Sequence, residues 1–338
     1  MTYLLLLAGA QLATAQQSSL RGTVVSAETG QPLSFSIVTL HPDGGRQFTD
    51  GAGTFVFAGP KPGAYLLSVR QIGYTPLDTQ IVVGKDTVTT VRTALRHLAI
   101  ELPPVTVTAR ECTDPGAPDP AAQPALAAFF GQLQESARRV QLLADSYPFH
   151  FRLEQTLRDV NRRGDSLRAV VRTLDLRSDN EPPYEPGRVV RPAWAPWQSA
   201  LLVRTMTLDE FANAAFVKNH CFQLAGRDTI EGETLVRIDF EPATRLPWAD
   251  MAGSVYLDSL TYHVRFTETS LTHPERSELA DIKAMTTRTR FDEIGPGIPL
   301  QQYLRAVTTF RFGGRLSSVE TQRLLEVRFN NRSVPLKN

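Results

Sequence analysis

Cysteine is scarce in this 338-residue chain, which holds only Cys112 and Cys221. That excludes a disulfide-dense miniprotein. Charge of one sign is also missing: 36 basic residues stand against 35 acidic ones, a net charge of +1. The chain therefore lacks the electrostatic footprint of a nucleic-acid binder, and no nucleic-acid partner is expected. Lysine is rare, with 5 Lys against 31 Arg, a bias that reflects codon composition more than arginine chemistry. No stretch approaches the ~18 consecutive apolar residues of a spanning helix, so no transmembrane helix is expected. Catalytic signatures are missing too. There is no Gly-x-Ser-x-Gly elbow, phosphate loop, His-Glu-x-x-His or His-x-x-Glu. None of His41, His97, His150, His220, His263 and His273 forms a close pair at metal-ligand spacing. His220 and Cys221 are adjacent, but a Cys–His dyad needs side chains converging from separate elements. The expectation is a protein without enzymatic activity, cofactor or metal.

What is present begins with an address. Leu4 to Leu7 with Ala8, Gly9 and Ala10 make a short apolar run, and Ala13-Thr14-Ala15 supplies a small-x-small cleavage pattern. Residues 1–15 are read as an export signal, although Met1-Thr2-Tyr3 carries no Lys or Arg; a buried N-terminal element is the alternative. The mature chain is expected in the periplasm or associated with the outer membrane. An oxidising compartment permits a Cys112–Cys221 disulfide joining the linker to the second domain. Two unrelated thiols, with Cys221 buried on a helix, is the other reading.

From Leu20 to Leu95 short alternating segments are broken by turn residues. Arg21–Ser26, Phe35–Leu40, Thr54–Ala58, Ala64–Arg70, Thr79–Val83 and Thr87–Leu95 read as strands. Asp43-Gly44-Gly45 and Asp50-Gly51-Ala52-Gly53 read as turns between them. This spacing predicts a small β-sandwich. An Asp-Gly-x-Gly loop is also a fragment of a calcium site, but no further oxygen ligands lie nearby, so Asp50 is read as capping its own turn. In order, Gly22-x-Val24, Gly30-Gln31-Pro32-Leu33, Thr49-Asp50-Gly51-x-Gly53-x-Phe55, Gly63-x-Tyr65-x-Leu67-x-Val69 and Gly73-Tyr74 resemble the carboxypeptidase regulatory-like domain. The resemblance covers residues 20 to about 97 and implies a seven-stranded, transthyretin-like sandwich. It also implies an accessory module, of a type found before TonB-dependent receptors and described as carbohydrate-binding-like.

Leu102-Pro103-Pro104-Val105-Thr106-Val107-Thr108-Ala109 is similar to the connector that leads into such receptors. Too little chain follows Arg110 for a barrel of ~22 strands. A barrel of eight fits by length, but charges such as Asp258, His263 and Arg265 interrupt its candidate strands. Glu111–Gln123, rich in proline, is read as linker. The expected domains are thus 16–97, a linker at 98–123, and 124–338.

Pro124–Ser146 predicts an amphipathic helix with Leu126, Phe129, Phe130, Leu133, Ala137, Val140 and Ala144 on its apolar face. Arg138 and Arg139 fall in its C-terminal half, where cations suit the dipole. Phe149–Val160 and Ser166–Leu176 predict a hairpin, and Glu181–Gln198 an irregular loop. Thr207-Leu208-Asp209-Glu210 is a capping box opening a second helix through about Cys221. Ile230–Phe240, Ser254–Thr269, Ile282–Glu293, Leu304–Phe312 and Ser318–Phe329 predict strands of a large curved antiparallel sheet. The whole is a mainly β chain: a sandwich, then an α+β half-barrel with two helices. Phe222-x-Leu224-x-Gly226, Ile238-x-Phe240-x-Pro242, Gly253-x-Val255-Tyr256-Leu257-Asp258 and Tyr262 resemble the bacterial lipoprotein-carrier half-barrel. This resemblance implies room for an apolar ligand.

The expected function is that of an exported, non-enzymatic cell-envelope protein with a docking or carbohydrate-binding-like sandwich and a larger binding scaffold. A periplasmic carrier of a lipid or other apolar ligand, an outer-membrane component and, last, a hydrolase are the alternatives. Candidate ligand-lining residues are Trp194 and Trp197 in the proline-rich loop, with Phe211, Tyr256, Tyr262 and Phe266; Phe216 and Phe310 are further contributors. Carbohydrate, lipid or an envelope protein are the partner classes. Nothing in the sequence sets an oligomeric state.

Overall fold

The computed structural model describes residues 18–102, 111–178, 183–195, 198–277, 282–295, 297–311, 315–329 and 332–334, with only the backbone described at 191–195, 198–203, 315 and 332–334. The expected export signal, most of the receptor-like connector and Trp197 lie outside the described residues, and so does the side chain of Trp194. The chain divides into two compact units. One comprises the chain up to Arg70 with Thr75–Arg96; the other comprises Gln71–Tyr74 with the chain from His97 onward.

The first unit contains β1 (Ser19–Ser26), β2 (Ile37–His41), β3 (Gly45–Phe48), β4 (Thr54–Ala58), β5 (Gly63–Arg70), β6 (Leu77–Val83) and β7 (Val88–Leu95). They form two sheets, ordered β4-β1-β7 and β3-β2-β5-β6. Alternation puts Phe55 and Phe57 of β4 and Leu67 and Val69 of β5 into the core. The Asp50 turn is closed by its own carboxylate: Oδ1 accepts from the N–H of Ala52 (2.9 Å) and of Thr54 (2.8 Å). Oδ2 accepts from the Thr54 hydroxyl at 2.5 Å. Gly53 sits at φ +71°, and a Cβ there would lie 2.6 Å from the Val24 carbonyl, so the turn requires glycine. These contacts account for Asp50 without a cation. β3 was not among the expected strands, since Asp43-Gly44-Gly45 reads only as a turn.

In the second unit α1 (Pro124–Ser146) matches its amphipathic pattern. It is followed by β8 (Phe149–Asn161), β9 (Ser166–Arg177), β10 (Val190–Ala195) and β11 (Gln198–Val203). A 3-10 turn at Leu208–Ala212 and a short α2 (Ala214–Val217) come next. Then come β12 (His220–Ile230), β13 (Glu233–Pro242), β14 (Asp250–Asp258), β15 (Val264–Thr272), β16 (Ile282–Gly295), β17 (Ile298–Phe310), β18 (Arg315–Phe329) and β19 (Arg332–Val334). A curved antiparallel sheet runs β12-β13-β14-β15-β16-β17-β18-β8-β9, with β19 added to β18. Leu126, Phe129, Phe130, Leu133 and Ala137 of α1 share one core with Ile238, Val255, Leu257 and Leu304 of the sheet. α1 therefore covers the inner face, and that burial, more than helix propensity, stabilises it.

Three expectations are corrected. The second helix does not run to Cys221. The Thr207–Glu210 capping box is present, but the 3-10 turn stops at Asn213, whose side chain accepts from the N–H of Ala215 and Phe216 and starts α2 afresh. Cys221 consequently lies on β12. Ser254–Thr269 is not one long strand but parts of β14 and β15. The Asp258 carboxylate accepts from the N–H of Leu260 (2.9 Å) and Thr261 (2.7 Å), and Tyr262 at φ +61° completes the reversal. The segment expected to be irregular carries the β10–β11 hairpin.

Arg139, expected in the C-terminal half of α1 as a cation suiting the dipole, is held in the core instead. It is fully buried, with Glu135 beside it at 3.4 Å, and donates to Gln71 Oε1 at 2.8 Å. Burial pulls its guanidinium below the usual range, opposed by the charges of Glu135 and Glu293. The reported disulfide alternative resolves in favour of the bond: Cys112 and Cys221 are joined, with Cα atoms 5.5 Å apart.

Candidate functional site: the inner face of the large sheet

Strand register decides which side chains share the face under α1, because directly paired residues point the same way. One row reads Ile238, Val255, Thr267, Thr289, Leu304, Gln322, Gln155, Arg172. Its neighbour reads Phe240, Gly253, Thr269, Thr287, Ala306, Glu320, Leu157, Val170. The face thus changes character across the sheet. On β12 to β14 it is apolar and packed under α1, with Phe130 and Phe222 ring centroids 4.4 Å apart.

In the middle, β15 and β16 contribute a square of four threonines, Thr267 opposite Thr289 and Thr269 opposite Thr287. All four are buried, at 4%, 1%, 5% and 4% exposure respectively. Among the described residues the hydroxyls of Thr267, Thr269 and Thr287 have no hydrogen-bond partner. A buried hydroxyl that finds no partner costs about 1–3 kcal/mol, so these three are the inner-face groups with hydrogen-bonding capacity that the described residues do not use.

On the far side the face turns polar. Gln301 Nε2 donates to Gln322 Oε1 (3.0 Å), and Gln322 Nε2 donates to Glu320 Oε1 (2.8 Å). Gln155 Nε2 also donates to Glu320 Oε1, and Arg172 Nε donates to Gln155 Oε1 at 2.5 Å. The result is a charged, hydrogen-bonding seam across β17, β18, β8 and β9, next to an apolar wall. Such a surface suits a ligand with an apolar body and a hydroxyl or amide head.

The aromatic residues expected to line one site are divided between the two faces. Phe211 and Phe216 are fully buried in the main core, Tyr262 belongs to it, and Phe310 packs against it. The Tyr262 hydroxyl donates to the Leu98 carbonyl (2.9 Å) and accepts from the Ile100 N–H (3.3 Å), which ties the 98–102 segment to the β14–β15 turn. Tyr256 and Phe266 pair with each other on the opposite face and cluster with Leu235. Arg288 and Arg290 lie over the Phe266 ring at 5.1 and 5.9 Å. Alternation puts Val255 and Leu257 on the inner side of Tyr256, and the bulge at Arg265 lets Val264 pair inward with Leu257 while Phe266 pairs outward with Tyr256.

A second buried polar group lies beneath α2. Tyr184 donates to Asp250 Oδ2 at 2.5 Å, and His220 Nε2 lies 3.8 Å from Asp250 Oδ1. Burial, then Asp250, hold the Tyr184 phenol above its usual range. Burial is also the largest influence on His220 and keeps its imidazole below the ordinary value against the pull of Asp250. The His220 ring nitrogens face the carbonyls of Phe216 (2.8 Å) and Met251 (3.1 Å), and its ring stacks on Phe216 at 3.8 Å. Neither nitrogen is open to a substrate, so the cluster braces the core instead of presenting a base. Among the described residues no group of His, Cys, Asp and Glu is arranged to hold a metal.

The threonine square escaped the sequence reading. Its signal was Thr267-x-Thr269 and Thr287-x-Thr289 on expected strands, where alternation places both pairs on one face.

Residues 19–96 match the model of the carboxypeptidase regulatory-like domain, the segment on which that resemblance was read. No curated protein matches the chain. Among solved structures it is similar to a DUF1329 family protein from Desulfovibrio piger, at 11% identity and TM-score 0.35, over 62% of this chain and 95% of that one. It is also similar to a putative outer membrane lipoprotein-sorting protein domain from Vibrio parahaemolyticus, at 10% identity and TM-score 0.33, over 60% of this chain and 93% of the other. A third likeness is to the pilus 2b backbone protein of group B streptococcus, at 14% identity and TM-score 0.22 over 24% of this chain; the chain spans 41% of that protein's length.

Proposed function

We propose that this chain is an exported, non-enzymatic cell-envelope protein whose second unit binds an amphipathic ligand, such as a single-chain lipid, on the inner face of its large sheet. The observation that carries the reading is the threonine square, with its three unbonded hydroxyls between an apolar wall and a hydrogen-bonding seam. The apolar wall receives the ligand's chain, the threonines and the Gln155–Glu320–Gln322 seam receive its head, and α1 acts as the cover that shifts to admit it. The first unit serves as a docking module. Export is supported by the Cys112–Cys221 bond, since such bonds persist in oxidising compartments.

The test is native mass spectrometry of the mature chain, from Gln16 onward, purified gently from a bacterial periplasm. The purified protein is then stripped and reloaded with palmitate or a palmitoyl lysophospholipid. Retained lipid mass, or stoichiometric reloading with either probe, is the expected outcome. A bare protein that takes up neither probe overturns the reading.

A further inference from the structure

Beside the disulfide, on the second unit and away from the threonine square, lies a cavity of about 570 Å³, within the ordinary range for small-molecule sites. Its floor is a small apolar cluster separate from the main core: Cys112, Ala243 and Leu246, with Cys221 and Trp248 packed against them. Gly187 backs the indole of Trp248; a Cβ at Gly187 would meet that ring at 3.4 Å. The walls are fixed by main-chain contacts. Thr244 N–H donates to the Cys112 carbonyl (3.0 Å), and Arg276 Nη1 donates to the Leu246 carbonyl (2.7 Å). The Thr272 hydroxyl donates to the Asp250 carbonyl at 2.8 Å.

The rim groups are available. Glu111 and Glu241 both line the cavity, and neither is in an ion pair among the described residues. Among the described residues Arg276 uses only Nη1, leaving Nε and Nη2, and Trp248 Nε1 is buried without a partner. His273 lines the same wall, with Nδ1 held by Glu275 at 3.1 Å.

We propose that this cavity is a saccharide-binding site. A sugar ring has an apolar C–H face and an edge of hydroxyls that both donate and accept. The indole offers a flat apolar partner for the face. The Glu111 and Glu241 carboxylates accept from hydroxyls, and the guanidinium donates to hydroxyl or ring oxygens by charge-assisted bonds. Other ligand classes fit less well. An acyl chain would meet unpaired charge around the rim at a desolvation cost. A phosphorylated ligand would face Glu111 and Glu241 across the cavity. The site is independent of the inner-face reading, and neither depends on the other.

The test uses the full mature chain labelled with fluorotryptophan. Its three tryptophans, Trp194, Trp197 and Trp248, give separable fluorine NMR signals, and Trp248→Phe assigns the one that matters. Diacetylchitobiose and maltose are the probes. A saturable shift confined to the Trp248 signal with either sugar is expected. Glu241 is exposed, so Glu241→Gln leaves the fold intact and is expected to weaken that binding about tenfold, the loss of one charged hydrogen bond. The proposal is overturned if neither sugar moves the Trp248 signal, if all three signals drift together without saturation, or if Glu241→Gln binds as the parent does.

Discussion

Replacing Thr269 with valine removes one hydroxyl and nearly nothing else, because the two side chains share a shape. That hydroxyl is buried and has no partner among the described residues, so its removal relieves a desolvation penalty of about 1–3 kcal/mol. Thr269→Val should therefore stabilise the lipid-stripped chain by about 1 kcal/mol, read from the urea midpoint at unchanged m-value. The same change deletes a hydrogen bond to the ligand head, worth about 1 kcal/mol, so lysophospholipid affinity should fall about fivefold. Stability and binding thus move in opposite directions, which simple core damage does not produce. Thr287→Val should behave alike, and because Thr269 and Thr287 are direct cross-strand partners the double variant should not be additive. A Thr269→Val protein that is less stable when stripped, yet binds the lysophospholipid like the parent, refutes the reasoning: the hydroxyl would then serve the fold.

Three other perturbations test the fold itself. Arg139→Met strands the Glu135 carboxylate in the core and should cost about 3–5 kcal/mol in urea denaturation, while adding Glu135→Leu should recover most of it. The Glu293 carboxyl is raised by partial burial, but its hydrogen bond and charge contact with His263, the Gly297 N–H and Arg265 outweigh this and hold it below 4.5. Its contribution is full above that ordinary value and is lost as pH falls through the depressed one. Glu293→Gln should flatten the acid limb of a stability-against-pH curve, and an unchanged limb would count against this pairing. Cys112→Ser opens a loop spanning a sequence separation of 109 and should lower stability by about 2–5 kcal/mol under non-reducing conditions.

The parts legible in the sequence are those where one local pattern decides the structure. α1 needed only its apolar period, and the sandwich strands only alternation and turn residues. The misreadings have different physical origins. Thr207–Glu210 is a true helix start, but nothing in the pattern reveals that Asn213 caps a second, separate turn four residues before Val217. Asp258 lies inside a run of strand formers, and only its side-chain bonds to Leu260 and Thr261 turn the run into a hairpin. Arg139 looks like a surface residue on a helical wheel, and nothing local reveals that it is buried and donates to Gln71, 68 positions away. The inner face is a similar case. Alternation assigns Tyr256 and Val255 to opposite sides, but which side α1 covers is a tertiary fact. The expected aromatic lining was consequently drawn from both faces, and the four threonines that β15 and β16 place on the inner face were not among it.

The Cys112–Cys221 bond turns part of the chain into a covalent ring that passes through α1, the β8–β9 hairpin and the β10–β11 hairpin before it closes on β12. Arg162 and Arg163 stand exposed at the tip between β8 and β9, within reach of an arginine-directed protease. One cut there linearises the ring but releases no piece. The nicked molecule would run as a whole chain on a non-reducing gel and fall into two fragments only when the bond is reduced. In an environment rich in proteases, the ring gives this exposed turn a tolerance to cleavage that an open chain of the same fold would lack.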